Sequence, residues 1–300
     1  MFAGAATSTA KVDSAFFFIV ASSGLLLVAV MAVMIVFLIR YNKKKHPHPI
    51  AVRESTALEI VWTVIPLLLV MLMFYFGWVD FEYIRNPPKD AMQVDVTARQ
   101  WSWLFRYPNG KEDAVLRVPV GKPVKLVMTS LDVLHCLFIP AFRIKEDCVP
   151  GLKTHLWFNA GETGAYDVFC SEYCGLGHAH MRSQVIVMPQ ADFDGWYGSA
   201  EETGTAALGL KVLKGSGCLG CHTLDGTRGV GPTFKGLVGS RQVVVTGGAE
   251  RTMTVDAAYV RQYILDPNRD IVKGYSPIMP KLKIGDQDLD AIVAFLETMK

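Results

Sequence analysis

The sequence predicts a multidomain membrane protein in three parts. Residues 1–84 form a two-helix transmembrane hairpin, 85–198 an all-β sandwich and 207–300 an all-α domain, with a linker at 199–206. Three observations carry this. Two long uncharged apolar runs precede Asp80. Short β-rich segments punctuated by Pro and Gly follow them. Near the C-terminus Leu289, Ile292, Val293 and Leu296 recur at helical spacing. Composition agrees, since 51% of the 300 residues are hydrophobic, above a soluble average.

The first run, 14–39, holds no charge, and neither does the second, 60–79. About 20 helical residues cross a bilayer, so both runs suffice. Pro66 in the second is tolerated where neighbouring groups take up the freed carbonyl. Between them Arg40, Lys43, Lys44, Lys45 and Arg53 stand against one acid, Glu54. The positive-inside rule places this loop in the cytoplasm, and both termini and all that follows the second helix on the other side. The lysines are therefore a topology signal. A net charge of +2, with no basic tract interleaved with aromatics, gives no case for nucleic acid. The first run is too long for a signal peptide and has no basic segment before it. Glu59, at the cytoplasmic start of the second helix, reads either as a helix N-terminal acid favoured by the dipole or as a proton inlet.

Segments 93–97, 124–128, 155–158, 166–169 and 184–188 are β-rich, with turns at 108–110, 119–121 and 150–151. Short strands at this spacing indicate a sandwich or barrel. Within it lies Cys170-Ser-Glu-Tyr-Cys174-Gly-Leu-Gly-His178-Ala-His-Met181. Thiolate, imidazole and thioether are donors that suit copper, whereas a zinc site does not usually recruit a thioether. His135, 35 residues before Cys170, can be brought beside the loop by a sandwich. A mononuclear blue-copper site needs one thiolate. Two cysteines flanked by two histidines fit two copper ions sharing both sulfurs. The bland alternative is a Cys170–Cys174 disulfide. His155 reads as structural, and His180 as a surface or supporting residue. Cys136 and Cys148 are an even pair, either a disulfide or two small buried thiols.

This loop, the segment Asp132-Val-Leu-His135, the Trp101-Ser-Trp103 pair and Leu58-Glu59-Ile-Val-Trp62-Thr63 resemble subunit II of haem–copper cytochrome c oxidase. The resemblance covers nearly all of the first 200 residues. It implies a cupredoxin-like Greek-key sandwich. It also implies a dinuclear copper centre held by His135, Cys170, the backbone carbonyl of Glu172, Cys174, His178 and Met181. The Glu172 side chain would reach a magnesium ion shared with subunit I. Trp101 would be where electrons from cytochrome c come in, and Glu59 the mouth of a proton path. Two positions depart from the pattern. Cys136 and Cys148 are not part of it, and Leu152 stands where the family often carries an arginine associated with contacts near the subunit I haems.

The stretch 198–206 is small and polar, a linker by composition. Beyond it, 207–214 can form one helix and 286–299 another. Cys218-Leu-Gly-Cys221-His222 reads as covalent c-type haem attachment. A zinc site would want a second Cys or His pair nearby, and a thioredoxin-like site a βαβ context; both are missing. The domain resembles a monohaem cytochrome c, with thioethers at Cys218 and Cys221 and His222 on the iron. The opposite axial ligand is usually Met, which raises the potential. Met253 lies in a polar run and Met299 at the chain's end, whereas Met279 sits in the Pro-fixed loop Pro277-Ile-Met279-Pro280 and is the expected ligand. Gly231-Pro232 matches the turn whose Pro232 carbonyl orients the haem histidine. Twelve Lys or Arg against nine acids in 206–300, and twelve of each in 85–198, give no strong steering surface.

Together these resemblances imply the electron-input subunit of an aa-type oxidase with a fused cytochrome c. Electrons would pass from a donor to the haem, to the copper pair and on to subunit I, where oxygen is reduced to water with proton translocation. The implied partners are subunit I, other oxidase subunits, and a donor that is cytochrome c or a quinol-oxidising complex in a supercomplex. The implied location is the bacterial inner membrane, with copper and haem domains on the periplasmic side. Two alternatives stay open. One is the copper subunit of a nitric oxide reductase, for which Glu59 would not be needed. The other is a free-standing membrane electron carrier.

Overall fold

The computed structural model describes residues 5–48, 53–199, 204–282 and 284–299. The chain divides into two compact units, residues 7–86 and the remainder.

The first unit is a helix pair, α1 (Thr7–Arg40) and α2 (Thr56–Arg85). At 1.5 Å per residue both exceed the roughly 30 Å hydrocarbon core of a bilayer. Their apolar side chains are exposed all round, as expected of helices whose solvent is lipid. Ser55 caps α2 by accepting from the Leu58 amide at 3.4 Å, and Glu59 stands in its first turn. The helices meet through Phe18 and Phe76, whose rings are edge-on with centroids 5.5 Å apart, and through Lys11 and Asp80 at 3.5 Å. The chain is a membrane protein.

The second unit begins its ordered sandwich with β1 (Met92–Arg99), β2 (Ser102–Arg106), β3 (Glu112–Asp113), β4 (Leu116–Pro119) and β5 (Pro123–Ser130). It continues with β6 (His135–Ile139), β7 (Ile144–Cys148), β8 (Thr154–Asn159), β9 (Gly164–Cys170) and β10 (Arg182–Met188). One sheet has the order β3-β2-β1-β5-β8 and the other β4-β10-β9-β6-β7. The pairs β1–β5 and β4–β10 are parallel, so the chain crosses between sheets, the cupredoxin-like arrangement expected. All five β-rich segments read from the sequence fall inside strands. Alternation is strict along β5, where Val124, Leu126 and Met128 are fully buried and the residues between them are not. Val94, Val96 and Ala98 do the same on β1. Each such large side chain contributes about 1.5–3 kcal/mol by leaving water. Ala6 bridges to Ala160, and the Gly161 amide donates to the Ala5 carbonyl at 2.9 Å. After β10, α3 (Gln190–Gly198) packs Trp196 and Tyr197 against Tyr107.

The register decides between the two readings of Cys136 and Cys148. Cys136 lies opposite Asp147, and Cys148 opposite His135. Successive residues on a strand point to opposite faces, so the two thiols face opposite sides of the sheet. Both are buried and free, and burial pushes them up to about 11 and about 12.

Most of the expected linker lies outside the described residues. The C-terminal domain has α4 (Thr205–Gly215), α5 (Ala257–Leu265) and α6 (Asp286–Thr298). The two helices read from the sequence are α4 and α6, which cross at Gly209. A Cβ there would stand 2.0 Å from the Ala291 carbonyl oxygen, so only glycine permits this approach. Leu213, Ile292 and Leu296 fill the space around the crossing. The expectation of an all-α domain needs correction. A three-stranded antiparallel sheet is inserted, formed by β11 (Arg241–Thr246), β12 (Ala249–Thr254) and β13 (Asp270–Val272), in the order β12-β11-β13. The reason is local. Gly247 and Gly248, both at positive φ, make the two-residue turn that twists two strands together.

Candidate functional site

Three elements bring the sulfur and imidazole donors to one end of the sandwich. His135 opens β6, Cys170 closes β9, and the loop from Cys174 through a short 3₁₀ turn at His178–His180 returns Met181 to the start of β10. Cys170 and Cys174 Sγ lie 3.8 Å apart, far beyond the roughly 2.05 Å of a disulfide. His135 Nδ1 is 3.9 Å from Cys170 Sγ, and His178 Nδ1 is 3.5 Å from Cys174 Sγ. Met181 Sδ is 3.8 Å from Cys174 Sγ, and the Glu172 carbonyl oxygen is 3.2 Å from Cys170 Sγ. All six expected donors therefore converge. The Glu172 side chain itself is exposed. His180 is also exposed, and His155 lies mid-strand on β8, outside the cluster.

Electrostatics prepare the cluster for a cation. Burial alone would raise the Cys170 thiol, but hydrogen bonds from His135 and the loop backbone bring it down to about 7. Burial and the neighbouring Cys170 push Cys174 up to about 12. The pair thus holds one proton readily displaced and one that a metal must drive off. Asp132 aligns His135: its carboxylate accepts from Nε2–H at 2.8 Å, which leaves Nδ1 free toward the sulfurs. Asp132 also accepts from the Gln100 amide at 2.7 Å. In the sequence the signal for this role is an acid three residues before the histidine, in Asp132-Val-Leu-His135.

Trp101 lies beside Gln100 on the turn between β1 and β2. Its indole Nε1–H donates to the Cys174 carbonyl at 3.1 Å, as does Gln100 Nε2 at 2.7 Å. The ring rests on Gly177, where a Cβ would come within 2.3 Å of it. Leu152 is exposed, and Glu59 remains a first-turn acid of α2.

The second site is an apolar slot in the helical domain. Two adjoining cavities share His222, Pro232, Tyr263 and Met279 as walls. Cys218 and Cys221 line the second. His222 Nδ1–H donates to the Pro232 carbonyl at 2.6 Å, and its ring stacks on Phe234 at 4.5 Å. Nε2 is thereby left with its lone pair free. Gly231 must be glycine, since a Cβ would meet the imidazole at 2.5 Å. Met253 is on β12 and Met299 caps α6, so Met279 is the methionine on the slot. The walls are mostly apolar, with two thiols, an imidazole and a thioether among them, which fits a flat, largely apolar group as haem is. These residues fit haem as the first cluster fits copper.

Two apolar helices, a cupredoxin-like sandwich with soft donors at one end, and a cytochrome-type domain define a class: membrane-anchored copper-and-haem subunits. Family models match in three places. The cytochrome c oxidase subunit II transmembrane domain covers residues 2–77, the periplasmic domain of the same subunit covers 111–188, and cytochrome c covers 206–300. A cytochrome c oxidase subunit 2 of Alkalihalophilus pseudofirmus is 31% identical over 290 residues, spanning 91% of this chain and 82% of its own length. An alternative cytochrome c oxidase subunit 2 of Bradyrhizobium diazoefficiens is 32% identical over 206 residues, 58% of this chain and 74% of that one. The crystal structure of the periplasmic domain of subunit II from Bradyrhizobium japonicum is 33% identical and covers 37% of this chain and 94% of that one, with a TM-score of 0.35. The chain belongs to the cytochrome c oxidase subunit II family and carries a cytochrome c domain at its C-terminus.

Proposed function

We propose that this chain is the electron-input subunit of an oxygen-reducing, proton-translocating oxidase. It takes electrons from cytochrome c or a quinol-oxidising complex and hands them toward subunit I. The observation that carries this is the convergence of His135, Cys170, the Glu172 carbonyl, Cys174, His178 and Met181 in one cluster. Two thiolates within bonding reach of two imidazoles suit a pair of copper ions, and copper bound there supplies one-electron exchange. Cys218 and Cys221 would hold haem c by thioethers, with His222 and Met279 on the iron. The Glu172 carboxylate, exposed beside the cluster, is free to reach a magnesium ion at the boundary with subunit I. Glu59 would lead protons inward from the cytoplasmic end of α2.

Rigidity is this chain's own contribution. The β6, β9 and β10 ends fix the donors, and Asp132 keeps His135 in one tautomer. The copper and haem domains lie on the periplasmic side of the inner membrane. Support comes from the basic 40–53 loop and from Ala5 and Ala6, which pair with the sandwich and so share its side.

The test is spectroscopic. The purified complex should show haem c bands and a near-infrared mixed-valence copper band, and should contain a large multi-haem membrane subunit that consumes oxygen. Cys174→Ser should abolish the copper band and leave haem c attached. Loss of both bands in that variant, or a chain that purifies alone, counts against the proposal.

A further inference from the structure

The inserted sheet turns one face to the slot in the helical domain. Val244 of β11 and Val272 of β13 lie opposite each other, and both line the first cavity. The next pair on that face of the same two strands is Thr246 and Asp270. Residues two apart on a strand share a face, so the Asp270 carboxylate stands on the slot side of the sheet. It is 2% exposed, and a carboxylate so buried must be paired. Arg251 Nη2 donates to it at 2.7 Å and Thr246 Oγ1 also donates, while Arg251 Nε donates to Thr246 Oγ1 at 2.9 Å. The ion pair is lopsided. The Arg251 side chain is 45% exposed and that of Asp270 4%, so water screens the cation more than the anion. The uncompensated part of the field is negative and reaches inward. Tyr259 and Tyr263 meet it there, one turn apart on α5 with ring centroids 5.8 Å apart, and both line the slot. Burial, and after it the Asp270 charge, push the Tyr259 phenol up to about 12 and raise Tyr263 as well. Arg269 adds a second cation beside Asp270. Glu250, the neighbouring acid of β12, is paired with Lys273 at 2.8 Å.

We propose that the inserted sheet holds a fixed negative charge, Asp270, behind the tyrosine wall of the slot, and that this charge lowers the haem's reduction potential, with Arg251 as its partial counterweight. This deepens the electron-input reading and rests on its assignment of haem to the slot. A buried anion favours the oxidised iron, which carries one more positive charge, and low-dielectric surroundings strengthen that preference. A methionine axial ligand raises the potential, and Asp270 works against it. Asp270 touches neither His222 nor Met279, so it acts through space as a tuning residue. The sheet that an all-α reading leaves out then has a role: it carries the charge and supplies its partners, Thr246 from β11 and Arg251 from β12.

The experiment is a redox titration of the full complex followed at the haem c α band. It is run at about pH 8, where carboxylates are ionised and tyrosines are not. Asp270→Asn keeps the shape and an acceptor for Thr246, and should raise the midpoint potential. Arg251→Gln leaves the carboxylate uncompensated and should lower it, and Arg251→Lys, which restores the charge, should bring it back toward the unaltered value. The charge-transfer band of methionine-bound ferric haem should persist in all three. Shifts of opposite sign are the signature, because a sheet that is merely loosened lets water onto the slot and lowers the potential in every variant. The proposal is overturned if Asp270→Asn lowers the potential or leaves it unchanged. It is also overturned if Arg251→Gln fails to lower it, or if Arg251→Lys falls as far as Arg251→Gln. Where Asp270→Asn does not assemble, the two Arg251 variants decide by the same criteria. Absence of the haem c bands from the unaltered complex overturns the haem assignment itself, a failure distinct from an unmoved potential.

Discussion

Asp132 shows how much of the site rests on residues that touch no metal. It accepts from the Gln100 amide, the Val133 amide and His135 Nε2, and these bonds, Gln100's foremost, outweigh the burial that would raise its carboxyl. The carboxylate stays charged and fixes the imidazole. Asp132→Asn should weaken copper binding by about 10–100-fold, measured by copper titration of the apo complex, with the haem c bands unchanged. The converging donors are legible in the sequence because spacing and donor type single them out. Gly177 and Gly231 were not, since their role is to let Trp101 and His222 come close, and nothing in a glycine's neighbours along the chain announces a ring arriving from elsewhere.

Among the elements, α4 and α6 were legible from periodicity, and β1, β5, β8, β9 and β10 from alternation. The β11–β12 hairpin has only a faint sequence signal, Gly247-Gly248 between two short runs of β-formers. β12 is mostly exposed and β11 mostly half-buried around Val244, so the pair carries little apolar alternation. Its anchor is Asp270, almost fully buried, which accepts from Thr246 Oγ1 and from Arg251 at 2.7 Å. Burial would raise this carboxyl, but those bonds hold it below its ordinary value of 3.8. A depressed folded-state value gives stability that is present above about pH 4 and lost as pH falls through the folded-state value. Thermal unfolding of the haem domain, followed at the Soret band, should therefore show a loss of stability below about pH 4. Arg251→Ala should cost about 1–3 kcal/mol at neutral pH, toward the low end because Arg251 is 45% exposed and its charge is screened. Gly209→Leu should cost at least about 1–3 kcal/mol by overpacking the α4–α6 crossing. The same melt would show it, with the copper band unaffected.

At the scale of the whole molecule, the basic loop between α1 and α2 and the pairing of Ala5 and Ala6 with the sandwich point to one orientation. A thiol at the loop, from Lys44→Cys, should be labelled by an impermeant reagent in inverted vesicles and not in intact cells. Labelling from outside would reverse the topology.

The sequence by itself determined the three-part order, the two long apolar helices and the candidate copper and haem donors, because each is a local pattern of hydropathy or residue spacing. Only the tertiary structure decided the pairing of His135 with the loop 35 residues on, and the separation of Cys136 from Cys148. It alone showed where Gly177, Gly209 and Gly231 leave room for a neighbour. Those depend on strand register and on where glycine lets two backbones meet, quantities that distant parts of the chain fix jointly.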